Sequence, residues 1–397
     1  VSPGRWRSER ARLAAGAVVY AVTWLAGAAS LVHFFLLVPL ASHDPAARFA
    51  SMIAGAVCAL PPLALYLWVP RLFDRFDPEP AWALALVLLW GAVGACGISA
   101  ALNTAVEQLA TDAGGRRYAE MVTACVSAPL VEEAMKGAAV LGVFFFLRRE
   151  FDGMVDGVLY ATYAALGFAA VENIVYYSRA VAEPGRSLAA TFLMRGVLSP
   201  WVHPLYASMT GLGIGLARET TRAWARWAAP LGGYAAAVTL HVAWNAAGAR
   251  SGYVTVAMLP LWLAFVVAFG GLLASLVARK GRIIRRELRD EVLLGNMTGE
   301  ELRLAGSAFA ELRASVSWGG EAGRRFVRAA ARLALCKWHA ARARRARHGR
   351  SDTLSSDRIA PLRDELRTLR ADVSRALGRP VPEPRPWQSQ QANPGGR

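Results

Sequence analysis

The sequence predicts an all-α fold: a polytopic membrane helix bundle of about eight transmembrane helices, followed by a basic, helical cytoplasmic C-terminal tail. Three observations carry that expectation. Hydrophobic residues make up 55% of the 397 and charged residues only 19%, with a mean hydropathy of +0.30, a balance that excludes an ordinary soluble enzyme. Nearly uncharged runs of about 20 residues or more, the length needed to cross a bilayer core, recur between Arg12 and Ala278. The charge divides at the same boundary, with 19 Lys+Arg against 16 Asp+Glu through Ala278 and 26 against 13 beyond it. The expected division is therefore a transmembrane domain over 1–278 and a basic, partly disordered tail over 279–397.

Apolar runs and their breakers place spans at 12–40, 50–70, 81–110, 118–147, 154–178, 187–217, 230–249 and 253–278. The first follows Arg5, Arg7, Arg10 and Arg12 but is too long for a signal-peptide core, so it reads as a retained start-transfer helix. The acidic turn Asp74-Arg75-Phe76-Asp77-Pro78-Glu79-Pro80 separates the second span from the third, and Asp152-Gly153 and Asp156-Gly157 lead into the fifth. Gly211, Gly213 and Gly215 put small residues along the sixth, where they permit close helix approach. Eight spans return the chain to its starting side. Loops on that side hold eleven Lys+Arg before the tail and the opposite loops six, which points to cytoplasmic termini.

The tail reads as helix over 281–294, 298–315 and 322–347, with a polar, proline-rich and disordered end from Gly378. Arg324, Arg325, Arg328 and Arg332 recur at helical spacing and 342–350 is densely basic, a pattern suited to anionic lipid headgroups. No nucleic-acid-binding module accompanies the charge, so no specific nucleic-acid partner is expected. Cys58, Cys96, Cys125 and Cys336 show no C-x-x-C spacing and imply neither a disulfide framework nor a cysteine zinc site.

A charge inside a span costs about 2.5–3.5 kcal/mol even on lenient insertion scales, so each one needs a partner or a purpose. Here they cluster. Span four carries Glu132, Glu133 and Lys136; span five, Glu172 and Asn173; span six, Arg195 and His203; span seven, His241 and Asn245. Spacings of three and four let Lys136 pair with either neighbouring glutamate but not neutralise both. A second carboxylate in a low-dielectric site suits proton transfer from water. His241 and Asn245, four apart, share a helix face and suit an imidazole and an amide donor converging on one substrate atom. No P-loop, dinucleotide fingerprint or H-E-x-x-H helix is present.

The ordered set E-E-x-x-K at Glu132, Glu133 and Lys136, F-x-x-x-E-N from Phe168 to Asn173, His203, and H-x-x-x-N from His241 to Asn245 resembles the PrsW intramembrane protease family over roughly residues 50–250. The family is similar to CAAX prenyl endopeptidases. The resemblance implies a multi-pass peptidase of the bacterial cell membrane and, as substrate, a single-pass membrane protein such as an anti-sigma factor cut at its first site. It implies catalytic roles for Glu132, Glu133, Glu172 and a histidine, with Lys136, Asn173 and Asn245 in support. Spacing does not separate His203 from His241; Asn245 favours His241, with His203 as a second ligand or oxyanion donor. The cofactor is either none or a single zinc ion, with Glu133, Glu172, His203 and His241 as candidate ligands. The rivals are a CAAX-type or peptide-processing protease, a proton-coupled transporter, and a non-catalytic membrane scaffold; the absence of an internal repeat in the sequence weighs against the transporter.

Overall fold

The computed structural model describes residues 3–250, 252–345 and 353–380, all of them in helices, turns and short connections with no strand. Five helical segments among these residues are long and apolar enough to cross a membrane: Arg10–Leu40, Pro45–Leu72, Ala81–Phe146, Met154–Ala182 and Leu259–Leu293. The chain forms two compact units, one of Val1–Asp74 with Glu79–Leu273 and one of Arg75–Pro78 with Ala274–Arg397.

In the first unit, α1 (Pro3–Val32) runs into a π-helical turn at His33–Leu37, and α2 (Pro45–Trp68) starts at Asp44, whose carboxylate accepts from Ala47 N at 2.9 Å. One helical path then leads through α3 (Ala81–Leu89), a π-helical stretch at Trp90–Ala95, α4 (Cys96–Val122), a second at Thr123–Ser127 and α5 (Ala128–Phe146). It is broken at Gly115, whose φ of 79° favours glycine. The two arms are tied across that reversal by Trp90 Nε1 donating to the Met135 carbonyl at 2.9 Å and by Asn103 Nδ2 donating to Glu132 at 3.5 Å.

α6 (Met154–Ala182) is the buried centre, with every residue from Val155 to Ala170 buried. It packs against α2, α3, α5 and α7 (Val202–Glu219), and α8 (Ala225–Arg250) covers α7. The contacts are backbone-close: a Cβ on Gly91 would overlap the Ala164 carbonyl, one on Gly167 the Leu88 carbonyl, and one on either Gly157 or Gly211 the other's carbonyl oxygen. Outward, Val18, Leu25, Val57, Leu109 and Leu231 are exposed, a surface suited to lipid and not to water.

The sequence expectation of one span over 187–217 is corrected. Helix runs over Leu188–Phe192 and π-helix over Leu193–Leu198, then the chain breaks at 199–201 before α7 begins. Pro200 explains the break, since it disfavours helix at the residue before it and offers no N–H. His203 consequently sits in the first turn of α7 instead of mid-helix.

The second unit contains the end of α9 (Gly252–Glu287), then α10 (Arg289–Leu293), α11 (Gly299–Ala305), α12 (Ala310–Ser317), α13 (Glu321–Arg345) and α14 (Thr353–Ala376). The expected helix over 298–315 is interrupted between Ala305 and Ala310, and α14 went unpredicted. α13 and α14 bury Phe326, Leu333, Leu335, Leu366 and Leu369 between them. Three of the four arginines of the basic stripe have carboxylate partners: Arg324 on Glu321, Arg328 on Glu311 at 2.7 Å and Arg332 on Glu365 at 2.6 Å. The end expected to be disordered lies, from residue 381 onward, outside the described residues.

Candidate active site

Five elements, α5, α6, the π-helical stretch Leu193–Leu198, α7 and α8, deliver the polar residues of the spans to one place in the first unit. The spacing on α5 puts Glu132, Glu133 and Lys136 on its inward face, where all are buried and Glu133 and Lys136 have no exposed surface. Lys136 Nζ lies 2.9 Å from Glu133 Oε1, 3.5 Å from Glu132 Oε2 and 3.0 Å from His203 Nδ1, and 4.2 Å above the Phe168 ring. Phe168 and Glu172 are one turn apart on α6, so the ring beneath the ammonium and the acid beyond the histidine come from one face.

His203 Nε2 is 2.9 Å from Glu172 Oε2, and Arg195, from the π-helical stretch, pairs with the same oxygen. Arg195 Nε also donates to Asn173 Oδ1 at 2.7 Å, and its guanidinium stacks 3.8 Å from the Tyr176 ring centre. His241 on α8 completes the group: Nδ1 is 3.0 Å from Glu133 Oε1 and Nε2 is 4.0 Å from Glu132 Oε2. Its ring lies 5.3 Å from Tyr206, nearly parallel, and 5.4 Å from His203.

A cavity of about 880 Å³ adjoins these groups, lined among others by Glu132, Glu172, Asn173, Arg195, His203 and His241. Its other walls include Leu31, Phe34 and Phe35, so charged groups and an apolar surface face the same space. The volume falls within the range of about 300–1,000 Å³ usual for ligand pockets.

All eight residues singled out from sequence lie in this region. Seven join one network, and both histidines belong to it. Asn245 lines the cavity, but its Nδ2 donates to the Ala124 carbonyl at 2.8 Å, in the π-helical stretch that precedes α5. Sequence reading noted Arg195 as a span charge without giving it a role, and missed Asn103, Ser127 and Tyr206. Ser127 donates to Asn103 Oδ1 at 2.7 Å, and Asn103 in turn donates to Glu132. A lone Asn or Ser in an apolar run carries no spacing signal, so nothing in the sequence marks that pair.

Glu132, His203 and His241 each offer a ligand atom within 4.8 Å of the others. One carboxylate with two imidazoles is a zinc-type donor set. Glu132 Oε2 is buried without a hydrogen-bond partner, and Glu133 stands behind His241 as carboxylates commonly stand behind metal-binding imidazoles. By type and placement these residues fit one zinc ion. Glu132 enters this group, whereas Glu133, a ligand candidate from sequence, lies behind the imidazole.

Residues 79–272 match the family described as "PrsW family intramembrane metalloprotease". The chain is similar to Protease PrsW of Clostridioides difficile (strain 630), 30% identical over 155 residues, which is 38% of this chain and 61% of that protein. It is also similar to Protease PrsW of Geobacillus kaustophilus (strain HTA426), 27% identical over 168 residues, 42% of this chain and 67% of that protein. The match therefore spans about three-fifths of the first relative's length. No solved structure shows a significant match.

Proposed function

We propose that the chain is a member of the PrsW family of intramembrane proteases, whose family model residues 79–272 match, and that it is an intramembrane endopeptidase hydrolysing a peptide bond in a membrane-anchored protein. The observation that carries the reading is Glu132: a buried carboxylate oxygen without a hydrogen-bond partner, on the wall of a cavity it shares with two imidazoles. In this reading eight spans cross a bacterial cell membrane with both termini cytoplasmic, as the basic-loop count favours. The substrate is a single-pass protein such as an anti-sigma factor.

Glu132 takes up the proton of the attacking water, a role suited to a carboxylate oxygen that no hydrogen bond engages, on a residue lining the cavity. Lys136 balances the charge of the two glutamates. Arg195 takes Asn173 Oδ1 and so fixes that amide, leaving its nitrogen to donate to a carbonyl oxygen that becomes negative. If zinc is bound, Glu132, His203 and His241 hold it, and its chemistry is to polarise a carbonyl and make water more acidic. A substrate backbone in hydrocarbon is fully hydrogen-bonded, so the segment to be cut must unwind before it reaches these groups.

The test is cleavage of a single-pass anti-sigma protein, and of a lipidated tetrapeptide, by detergent-purified wild type, Glu132→Gln and His241→Ala, with and without a strong chelator. Loss of cleavage in both variants is expected. Variants as active as wild type would remove the site from the mechanism, and cleavage of the tetrapeptide alone would assign the CAAX-type reading instead.

A further inference from the structure

We propose that Lys136 and a divalent cation compete for His203, the lysine holding the imidazole in a tautomer that has no lone pair to give a metal. The inference rests on reading Glu132, His203 and His241 as a metal site, and adds to it that the site is closed by a resident ammonium.

The steps are stereochemical. An ammonium group has three N–H donors and no acceptor. Lys136 Nζ, beside Glu133 Oε1 at 2.9 Å, Glu132 Oε2 at 3.5 Å and the Phe168 ring face, is surrounded by groups that stabilise its positive charge. At 3.0 Å from His203 Nδ1 it can only donate, so Nδ1 is the acceptor nitrogen and its lone pair is occupied. A neutral imidazole with an unprotonated Nδ1 carries its proton on Nε2, and that N–H is directed at Glu172 Oε2, 2.9 Å away and also held by Arg195. Neither nitrogen of His203 has a free lone pair. A metal at Nδ1 would displace the lysine directly, and one at Nε2 would need the proton moved to Nδ1, where it would oppose the ammonium.

His241 differs. Its Nδ1 faces Glu133 Oε1, a carboxylate that only accepts, so in the neutral ring the proton sits on Nδ1 and Nε2, 4.0 Å from Glu132 Oε2, carries the lone pair. Two of the three ligands are thus prepared and the third is held by Lys136. The lysine also has somewhere to go: Glu133 Oε2 is buried with no hydrogen-bond partner, and an ammonium already bound to Oε1 of that carboxylate can swing to its second oxygen as it releases His203.

The experiment measures zinc affinity, by competition with a fluorescent chelator, on metal-stripped full-length protein in detergent: wild type, Lys136→Met, and Lys136→Met with Glu132→Gln. Methionine keeps the chain volume and removes the donor. One zinc bound at least tenfold more tightly by Lys136→Met than by wild type, and lost on adding Glu132→Gln, is the expected result. Equal affinity in wild type and Lys136→Met, with Glu132→Gln still abolishing binding, overturns the competition and leaves the metal site standing. No Glu132-dependent zinc in any of the proteins overturns both, without touching the peptidase reading, which cleavage tests separately. Should Lys136→Met not fold, 15N spectra of histidine-labelled wild type decide the matter. Metal-free His203 must show a protonated Nε2 and a bare Nδ1, and a protonated Nδ1 overturns the proposal.

Discussion

Oε1 of Glu133 lies 3.0 Å from Nδ1 of His241, which places the second glutamate of the pair behind the imidazole, while the first, Glu132, stands at the cavity wall. Adjacent residues on a helix point about 100° apart, so neighbouring acids with the same chemistry are given different surroundings by geometry alone. One orients a ring and balances an ammonium; the other has an oxygen that no hydrogen bond engages, 3.5 Å from the same ammonium and beside the cavity.

Glu132→Gln and Glu133→Gln should therefore fail differently. The first keeps volume and removes the proton-accepting carboxylate, so cleavage should fall by about 10²–10⁴-fold, the range for losing a general base, with the thermal unfolding midpoint nearly unchanged. The second weakens the anchor of both Lys136 and His241, and should lower the midpoint as well as the rate. Rates and midpoints measured on the same detergent-solubilised preparations separate the two, and identical behaviour would refute the division of roles.

Arg195 should prove a positioning residue. Its guanidinium pairs with Glu172 and takes Asn173 Oδ1, with both ionic side chains about one-fifth to one-quarter exposed. Removing it in Arg195→Ala leaves a largely enclosed carboxylate without its cation, at a cost of about 1–3 kcal/mol given that partial exposure. Arg195→Lys, which keeps the charge but not the fork, should recover stability and not activity, because an ammonium lacks the planar fork that fixes the acid and the amide in one geometry. Full activity in the lysine variant would show that charge alone suffices.

Much of this was legible in the sequence, and for a physical reason: charge in hydrocarbon is costly enough that Glu132, Glu133, Lys136, Glu172, His203 and His241 stood out within the spans. The break before His203 was less legible. Nearly uncharged residues continue on both sides of 199–201, and only Pro200 marks the interruption. Asn103 and Ser127 were invisible because neutral polar residues are tolerated in spans without a partner in sequence. The ion pairs of the tail were not legible either. Arg324, Arg328 and Arg332 look like a solvated basic stripe, yet their partners Glu311 and Glu365 come from other helices and Glu321 from the same one, and no local spacing announces the first two.

The approach of α6 to α7 should be sensitive to a single methyl group. Gly157 and Gly211 each sit where a Cβ would overlap the other's carbonyl oxygen, so Gly211→Ala must push the helices apart or distort one of them. Overpacking of this kind costs about 1–3 kcal/mol. The same two helices carry Glu172 and His203, so the variant should lose activity along with stability, whereas Gly232→Ala, with open space around its Cβ, should change neither. Unfolding midpoints and cleavage rates for the pair test this, and a silent Gly211→Ala would mean the helices have slack.

Glu291 should be the anchor of the second unit. It has no exposed surface and receives Arg363 at 2.7 Å, Lys337 at 3.1 Å and Asn296 Nδ2 at 2.6 Å, from α14, α13 and the turn after α10. One carboxylate therefore ties three segments that sequence alone separates by up to 72 positions. Deleting Glu291 removes the carboxylate that Arg363 and Lys337 share, and with both cations partly exposed and Lys337 still beside Asp290 the cost is about 1–3 kcal/mol, so Glu291→Ala should loosen α13 and α14 together. Limited proteolysis of the full-length protein should then cut faster across 289–376 than in wild type. Glu291→Gln, which can still accept from one cation, should fall between the two. A Glu291→Ala protein digested no faster than wild type would mean that the apolar contacts of Phe326, Leu366 and Leu369 hold the unit without the ionic network.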